Sequence, residues 1–236
     1  MSATWFPFVI GGAAVGWQQL VRRVVAGPDG TPLVRREVLT AFATGGVRTV
    51  SAFFAELPEG EPLAWRRFGT LAEGDGAWVE DVAFVRDGDE LCHPDGARTP
   101  LPAACYPGQL LLELALGLFR AGRAELLATP LHDGTGAPEP PACLCLAPAL
   151  SGPQTATHVI EELPAAAALE GADRTSRDRE LRADGPVSLA RRAVLLAPDG
   201  RVERQVWGPD AWSGAATSRG LARAVGPADA PALATS

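Results

Sequence analysis

Residues 106–127 read YPGQLLLELALGLFRAGRAELL, the one stretch of this 236-residue chain whose residues ask for a helix. Pro107 suits a first helical position, where its missing N–H costs nothing. Leucine dominates and no β-branched residue interrupts, so helix propensity outweighs strand propensity. Leu110, Leu111, Leu112, Leu114, Leu116, Leu118 and Phe119 cover most of the circumference, and a helix apolar nearly all round is buried. Gln109, Glu113 and Arg120 leave a narrow polar stripe at helical spacing. The expectation is a buried helix over about 107–127 with an acid, Glu113, at its middle.

Outward from that helix the chain reads as β-structure. Residues 15–26 (VGWQQLVRRVVA) run into Gly27-Pro28-Asp29-Gly30, and residues 31–43 (TPLVRREVLTAFA) run back. Proline presets φ, Asp bonds locally and glycine accepts positive φ, so this is a hairpin. A second hairpin of like design spans 187–197 (VSLARRAVLLA), Pro198-Asp199-Gly200 and the return RVERQVWG. Further strands are read at 5–10, 47–57, 62–71, 77–86, 88–92, 142–147 and 154–162. Strict alternation at 77–86 puts Trp78, Glu80, Val82 and Phe84 on one face. Residues 130–141 and 164–186 read as loops, and the Ala/Gly/Ser/Pro-rich stretch 213–236 as a disordered tail. The expected fold is mainly β: an antiparallel β-barrel or half-barrel of long hairpins wrapped around one apolar helix, a single domain over 1–212.

Composition limits the chemistry. Hydrophobic residues make up 47% of the chain, enough for a sizeable core, and the formal net charge is −7. Nucleic-acid binding rests on clustered cationic charge, so no such partner is expected. The Arg pairs at 22–23, 35–36, 66–67 and 191–192 do not form a one-sided patch, because strand neighbours point to opposite faces. All 21 basic residues are arginines, and lysine and asparagine are absent, a bias typical of GC-rich bacterial genomes such as those of actinobacteria. Lysine Schiff bases, P-loop lysines and Ser–Lys dyads are thereby excluded. Cys143 and Cys145 are too close for a normal zinc pair and read, like Cys92 and Cys105, as free thiols. The N-terminal MSATWFPFVIGGAAVGW has neither a cationic start nor the about 20 apolar residues of a membrane span, so strand and a cytoplasmic location are expected.

The order of elements carries a resemblance. A strand, the segment Gly11/Gly12 through Val15-Gly16, long meandering hairpins, one apolar mid-chain helix and more long strands resemble the lipoprotein-carrier-like half-barrels and, more generally, lipocalin-type barrels. The likeness spans about residues 5–208. It implies an apolar molecule held on the concave side of the sheet, or, as in some barrels of related design, cyclisation of a polyketide or terpenoid chain.

The residues themselves offer few catalytic candidates. His93 lies in an HPDG turn and His132 in a loop beside Asp133, and no Gly-x-Ser-x-Gly elbow accompanies them. No HxxxH, HxH or HExxH spacing suggests a metal, and GGAAVG at 11–16 precedes a strand, where a dinucleotide fingerprint needs a helix. His158 sits inside a strand, either as an acid/base group in a lumen or as a surface residue. Glu113, desolvated in an apolar helix, would hold its proton to higher pH unless it faces solvent or pairs with an arginine. Glu80 shares its strand with apolar neighbours and is either an inward acid or a salt-bridge partner. Tyr106 completes the set of candidate proton donors, and Trp17, Trp65, Trp78 and Phe84 are candidate pocket walls or core. The reading is a small hydrophobic substrate or ligand in a barrel cavity. Its handler is a cofactor-independent cyclase or isomerase of bacterial secondary metabolism, with a non-catalytic carrier as the alternative.

Overall fold

The structure, a computed structural model, describes residues 2–75, 77–148, 158–164, 192–207, 211–224, 226–227 and 231–233. Eight strands come first: β1 (Ser2–Ile10), β2 (Ala13–Ala26), β3 (Pro32–Thr44), β4 (Val47–Leu57), β5 (Arg67–Glu73), β6 (Trp78–Asp87), β7 (Glu90–Cys92) and β8 (Arg98–Pro100). Seven more follow: β9 (Cys105–Pro107), β10 (Glu125–Leu131), β11 (Ala142–Pro148), β12 (His158–Pro164), β13 (Arg192–Leu196), β14 (Val202–Val206) and β15 (Ala211–Ser213). All lie in one sheet, ordered β8-β7-β6-β5-β4-β3-β2-β1-β15-β14-β13-β12-β11-β10-β9. Among the described residues only the β9–β10 pair is parallel. Residues 149–157 and 165–191, which the sequence divides between strand ends and a loop, lie outside the described residues.

Turn chemistry sets the long hairpins. Gly11–Gly12 and Gly45–Gly46 close β1–β2 and β3–β4 with positive φ at all four residues. A two-residue turn of that hand matches the natural twist of the strands it joins. The Pro28-Asp29-Gly30 turn works as the sequence suggests, the Asp29 side chain accepting from the Thr31 N–H at 3.0 Å.

Laid flat, fifteen strands at about 4.8 Å spacing would span roughly 67 Å. Yet the two edge strands, β8 and β9, are joined by residues 101–104 alone, a reach of no more than about 18 Å. The sheet must therefore curl until its edges approach. They do not pair with each other, so the expected mainly β architecture takes its open, half-barrel form.

Helix α1 (Leu111–Ala121) leaves β9 through a single 3-10 turn at Gly108–Leu110. Its Leu111, Leu112, Leu114, Ala115 and Leu118 pack with Leu144 of β11, Ile160 of β12 and Val194 and Leu196 of β13. Leu20 of β2 and Leu63 meet the same cluster, so the sheet contacts the helix from both halves. The helix is shorter than its leucines suggest. Gly122 takes φ 61° and its N–H bonds back to the carbonyls of Leu118 and Phe119, a left-handed cap that stops the helix. Leu126 and Leu127 consequently belong to β10, and Tyr106 and Pro107 to β9.

A second core, of Ala55, Leu57, Trp65, Phe68, Phe84, Leu91, Cys105, Leu110 and Leu131, bridges β4–β7 to the β9–β10 edge. A third lies on the opposite face, where Trp17, Val21, Leu39, Ala41 and Phe54 are covered by Ala222 and Leu233. Here the stretch beyond residue 213 differs from the disorder expected of its composition. It carries helix α2 (Arg219–Arg223), capped by Ser218, and its backbone meets polar groups of that face. The indole N–H groups of Trp17 and Trp78 donate to the carbonyls of Pro227 (3.2 Å) and Pro231 (2.8 Å). The Gln19 amide exchanges two bonds with the Leu233 backbone. The segment thus covers these side chains and at the same time supplies the acceptors that replace water, which gives a weakly apolar stretch a way to dock. Among the described residues no helix is long and apolar enough to cross a membrane.

Candidate functional site

Alternation along β2 and β3 splits each Arg-Arg pair between the two faces. Arg22 and Arg36 reach the helix side, whereas Arg23 and Arg35 join a cluster of acids on the other. Helix α1 turns Leu114, Gly117, Leu118 and Ala121 toward one cavity of about 360 Å³. It turns Glu113, Leu116, Gly117 and Arg120 toward a second of about 350 Å³. Gly60, Pro62 and Gly117 wall both, making them two lobes of a groove under the β4–β5 connection. The first lobe is apolar, with Leu63, Ala64 and Leu126 opposite the helix. The second is charged, with Arg22, Arg36 and Glu59 set over Val34 and Leu57. A Cβ added at Gly117 would meet nothing within 4 Å, so the space is open where any larger residue would intrude.

Glu113 is the acid of this groove. Its side chain is 12% exposed and its Oε1 lies 3.0 Å from Arg36 Nε. That Nε finds no aligned hydrogen-bond acceptor, so the contact is one of charges without a full hydrogen bond. Burial pushes the Glu113 carboxyl above its ordinary range, with the Arg36 charge and the residue's own N–H opposing the rise. Burial also pulls the Arg36 guanidinium down against the attraction of Glu113. Desolvation thus outweighs pairing for both partners. The arrangement yields a carboxyl able to exchange a proton with a molecule held in the groove.

Glu80 behaves in the opposite way. The β5–β6 register shifts from Thr70↔Val82 to Leu71↔Glu80, so Asp81 is the extra residue of a bulge. The bulge overturns the expected common face. Trp78 and Glu80 point to the Trp17 side, while Val82 and Phe84 pack with Trp65 on the helix side. Glu80 accepts from Arg35 Nη1 at 2.7 Å and from both terminal nitrogens of Arg67. Burial alone would raise its pKa, but the bonds from Arg67 and Arg35 outweigh it and hold the carboxyl below its ordinary value. Glu80 is an ionised salt-bridge partner, unsuited to donating a proton at neutral pH.

Tyr106 and His158 stand elsewhere. The fully buried Tyr106 hydroxyl donates to Glu162, and burial, then the Glu162 charge, drives its ionisation far upward. Glu162 also accepts from Arg192 Nε and Nη2, each at 2.7 Å, while Arg192 Nη1 donates to Gly108 O at 2.6 Å. Asp133 accepts from the Gln109 N–H at 3.2 Å, and burial lifts its pKa to about 6 against the pull of Arg192. This network ties β9, β12 and β13 to the base of α1. His158 packs edge-to-face on Phe119 of α1, ring centroids 5.0 Å apart.

The four candidate pocket aromatics are not brought together. Trp17 and Trp78 lie beneath the C-terminal segment. Trp65, whose N–H bonds to Cys105 O at 2.9 Å, meets Phe68, which stacks on Phe84. None of the four walls the groove beside α1. Sequence reasoning missed Arg36, Glu162, Arg192 and Asp133, and only the alternation of the Arg-Arg pairs hinted at two of them, Arg36 and Arg192.

The four cysteines are free, Cys143 and Cys145 side by side with Sγ atoms 3.3 Å apart. Among the described residues no three His, Cys, Asp or Glu side chains group as a metal site. Compared with family models, curated proteins and solved structures, the chain matches none.

Proposed function

We propose that the chain binds a small, mostly apolar molecule in the groove beside α1. The apolar body lies in the lobe lined by Leu63, Leu114, Leu118 and Leu126, and a polar end meets Glu113, Arg36 and Arg120. The observation that carries this reading is Gly117. In a helix otherwise filled with leucine, the one position facing both lobes has no side chain and open space before it. A side chain at this position would project into the groove, and glycine leaves the passage between the two lobes clear. The half-barrel resemblance implies the same kind of ligand.

The experiment is a fluorescence titration with N-phenyl-1-naphthylamine, a neutral apolar probe, on wild type and Gly117→Leu. Wild type binds, and the variant loses at least about tenfold in affinity while melting no lower. Equal binding by the two proteins refutes the assignment of the groove.

A catalytic reading, as a cofactor-independent cyclase or isomerase acting on a polyketide or terpenoid, is favoured by the raised pKa of Glu113. A groove that confines a flexible unsaturated substrate lowers the entropic part of the barrier. A carboxyl that burial makes hold its proton to higher pH than usual can then supply that proton. Glu113→Gln would abolish turnover and leave probe binding intact, whereas a carrier has no turnover to lose.

A further inference from the structure

A cavity of about 550 Å³ lies at the Pro28–Thr31 end of the β2–β3 hairpin. Its walls are the Pro28–Thr31 turn, Leu33 and Pro58 on one side and Arg66, Arg67, Val85 and Arg86 on the other. In a chain with 28 acids against 21 arginines, an arginine ordinarily finds a carboxylate. Arg67 does, through Glu80. Arg66 and Arg86 do not: among the described residues neither makes an ion pair within hydrogen-bonding reach. Arg86 is instead fixed by neutral acceptors, the carbonyls of Leu63 (2.8 Å) and Gly88 (3.2 Å), with its guanidinium 5.2 Å from the Trp65 ring. Its charge is thus positioned without being cancelled. Arg66 is exposed at the rim. Of the cavity's acids, Glu56 is paired with Arg35 at 2.7 Å, while Asp29, bonded to the Thr31 N–H, feels the Arg66 charge without forming an ion pair with it. Pro28, Leu33, Pro58 and Val85 supply the apolar part, Val85 being 44% exposed.

We infer that this cavity is a second binding site, which takes a small amphiphile with an anionic head. Arg66 and Arg86 receive the head, and the apolar walls receive the body. A cavity of this size matches a small-molecule ligand. Planar guanidinium groups suit carboxylate and phosphate alike, so the head is either of these oxyanions. The site is separate from the groove beside α1, with which it shares no wall residue.

Calorimetric titration of the full chain with octanoate, octyl phosphate and 1-octanol tests the inference. At least one of the two anions binds about tenfold or more tighter than octanol, whose chain is the same length. Whichever is tighter identifies the head as carboxylate or phosphate. Arg66→Gln, at an exposed position without an ion pair, leaves the melting temperature unchanged and weakens the anion about tenfold, with octanol unaffected. Anion binding survives in Gly117→Leu, where the α1 groove is filled. The inference is overturned if octanol binds as well as both anions or if Arg66→Gln binds the anion normally. It is equally overturned if Gly117→Leu abolishes anion binding, because the anion then sits beside the helix.

Discussion

Two arginine–glutamate assemblies occupy opposite faces of the same strands and behave in opposite ways. On the helix side Arg36 contacts Glu113 without a full hydrogen bond, with Glu59 adding a weaker attraction, and burial raises the Glu113 pKa. On the other side Arg35 donates to Glu37, Glu56 and Glu80, each at 2.7 Å, with Arg23 and Arg67 adding further bonds. Burial pulls Arg35 down, but its bonds to Glu80, Glu37 and Glu56 more than restore its affinity for the proton. The residue types are the same. What differs is the number of aligned donors per carboxylate, and that number decides whether burial or pairing prevails. A multiply bonded network fixes strands; a poorly satisfied pair beside an open cavity is free to respond to a ligand.

The sharpest way to break this contrast is to remove one charge from each side. Arg35→Met strips the donor shared by Glu37, Glu56 and Glu80, and leaves Glu37, which is only 4% exposed, with Arg23 as its remaining partner in the network. A loss of about 3–5 kcal/mol is expected. Glu113→Gln installs a neutral mimic of the protonated state that burial already favours, and should change stability by no more than about 1 kcal/mol. Urea unfolding of both variants measures this. Similar midpoints for the two would mean that the network and the pair are energetically equivalent.

A carboxylate outside both assemblies extends the comparison to pH. Asp133, moved from 3.8 to about 6, holds a proton in the folded state that it would release when unfolded. Its contribution is therefore fully favourable below about pH 4 and is lost as pH rises through about 6. A shift of that size corresponds to about 3 kcal/mol, trimmed to roughly 2 by solvent at its partly open edge. Asp133→Asn should thus stabilise the protein by about 2 kcal/mol at pH 8 and by nothing at pH 3.5, as read from paired melts. Glu113 has the same sign as Asp133, while Glu80, with its lowered pKa, loses stability as pH falls. Carboxyl NMR titration should find Glu113 above the ordinary carboxylate range and Glu80 below it.

How much of this could be read beforehand follows from the range of the interactions. The two long hairpins were legible because Pro-Asp-Gly turns act within four residues, and the buried helix because leucine repeats within one turn. Glu113 stood out because an acid amid leucines is locally anomalous. Its partner did not, since Arg36 reaches it only after β3 and α1, 77 positions apart in the chain, are packed together. Glu80 was misplaced by a single bulge residue, Asp81, which strict alternation does not foresee. The stretch beyond residue 213 looked unable to order itself because its few apolar side chains were weighed alone. Its docking depends instead on backbone carbonyls meeting the indoles of Trp17 and Trp78 more than 150 residues away.

The smallest expected effect bears most directly on what the helix side is for. Gly117 lies mid-helix, where glycine costs about 1 kcal/mol relative to alanine. A methyl group there would clash with nothing, so Gly117→Ala should raise stability by about that amount. No packing constraint accounts for the glycine, as one accounts for Gly16, where an added Cβ would fall 2.2 Å from the Ala41 carbonyl oxygen. A position that could be stabilised at no steric cost, and is not, either keeps open volume for a ligand or is stability left unoptimised, as it commonly is in natural proteins. Thermal melts of Gly117→Ala, set beside probe affinity, separate the two demands. A gain in melting temperature accompanied by weaker binding means that the groove is kept open for a ligand. A gain with unchanged affinity means that the glycine serves no ligand, and the contrast between the two faces then reduces to packing alone.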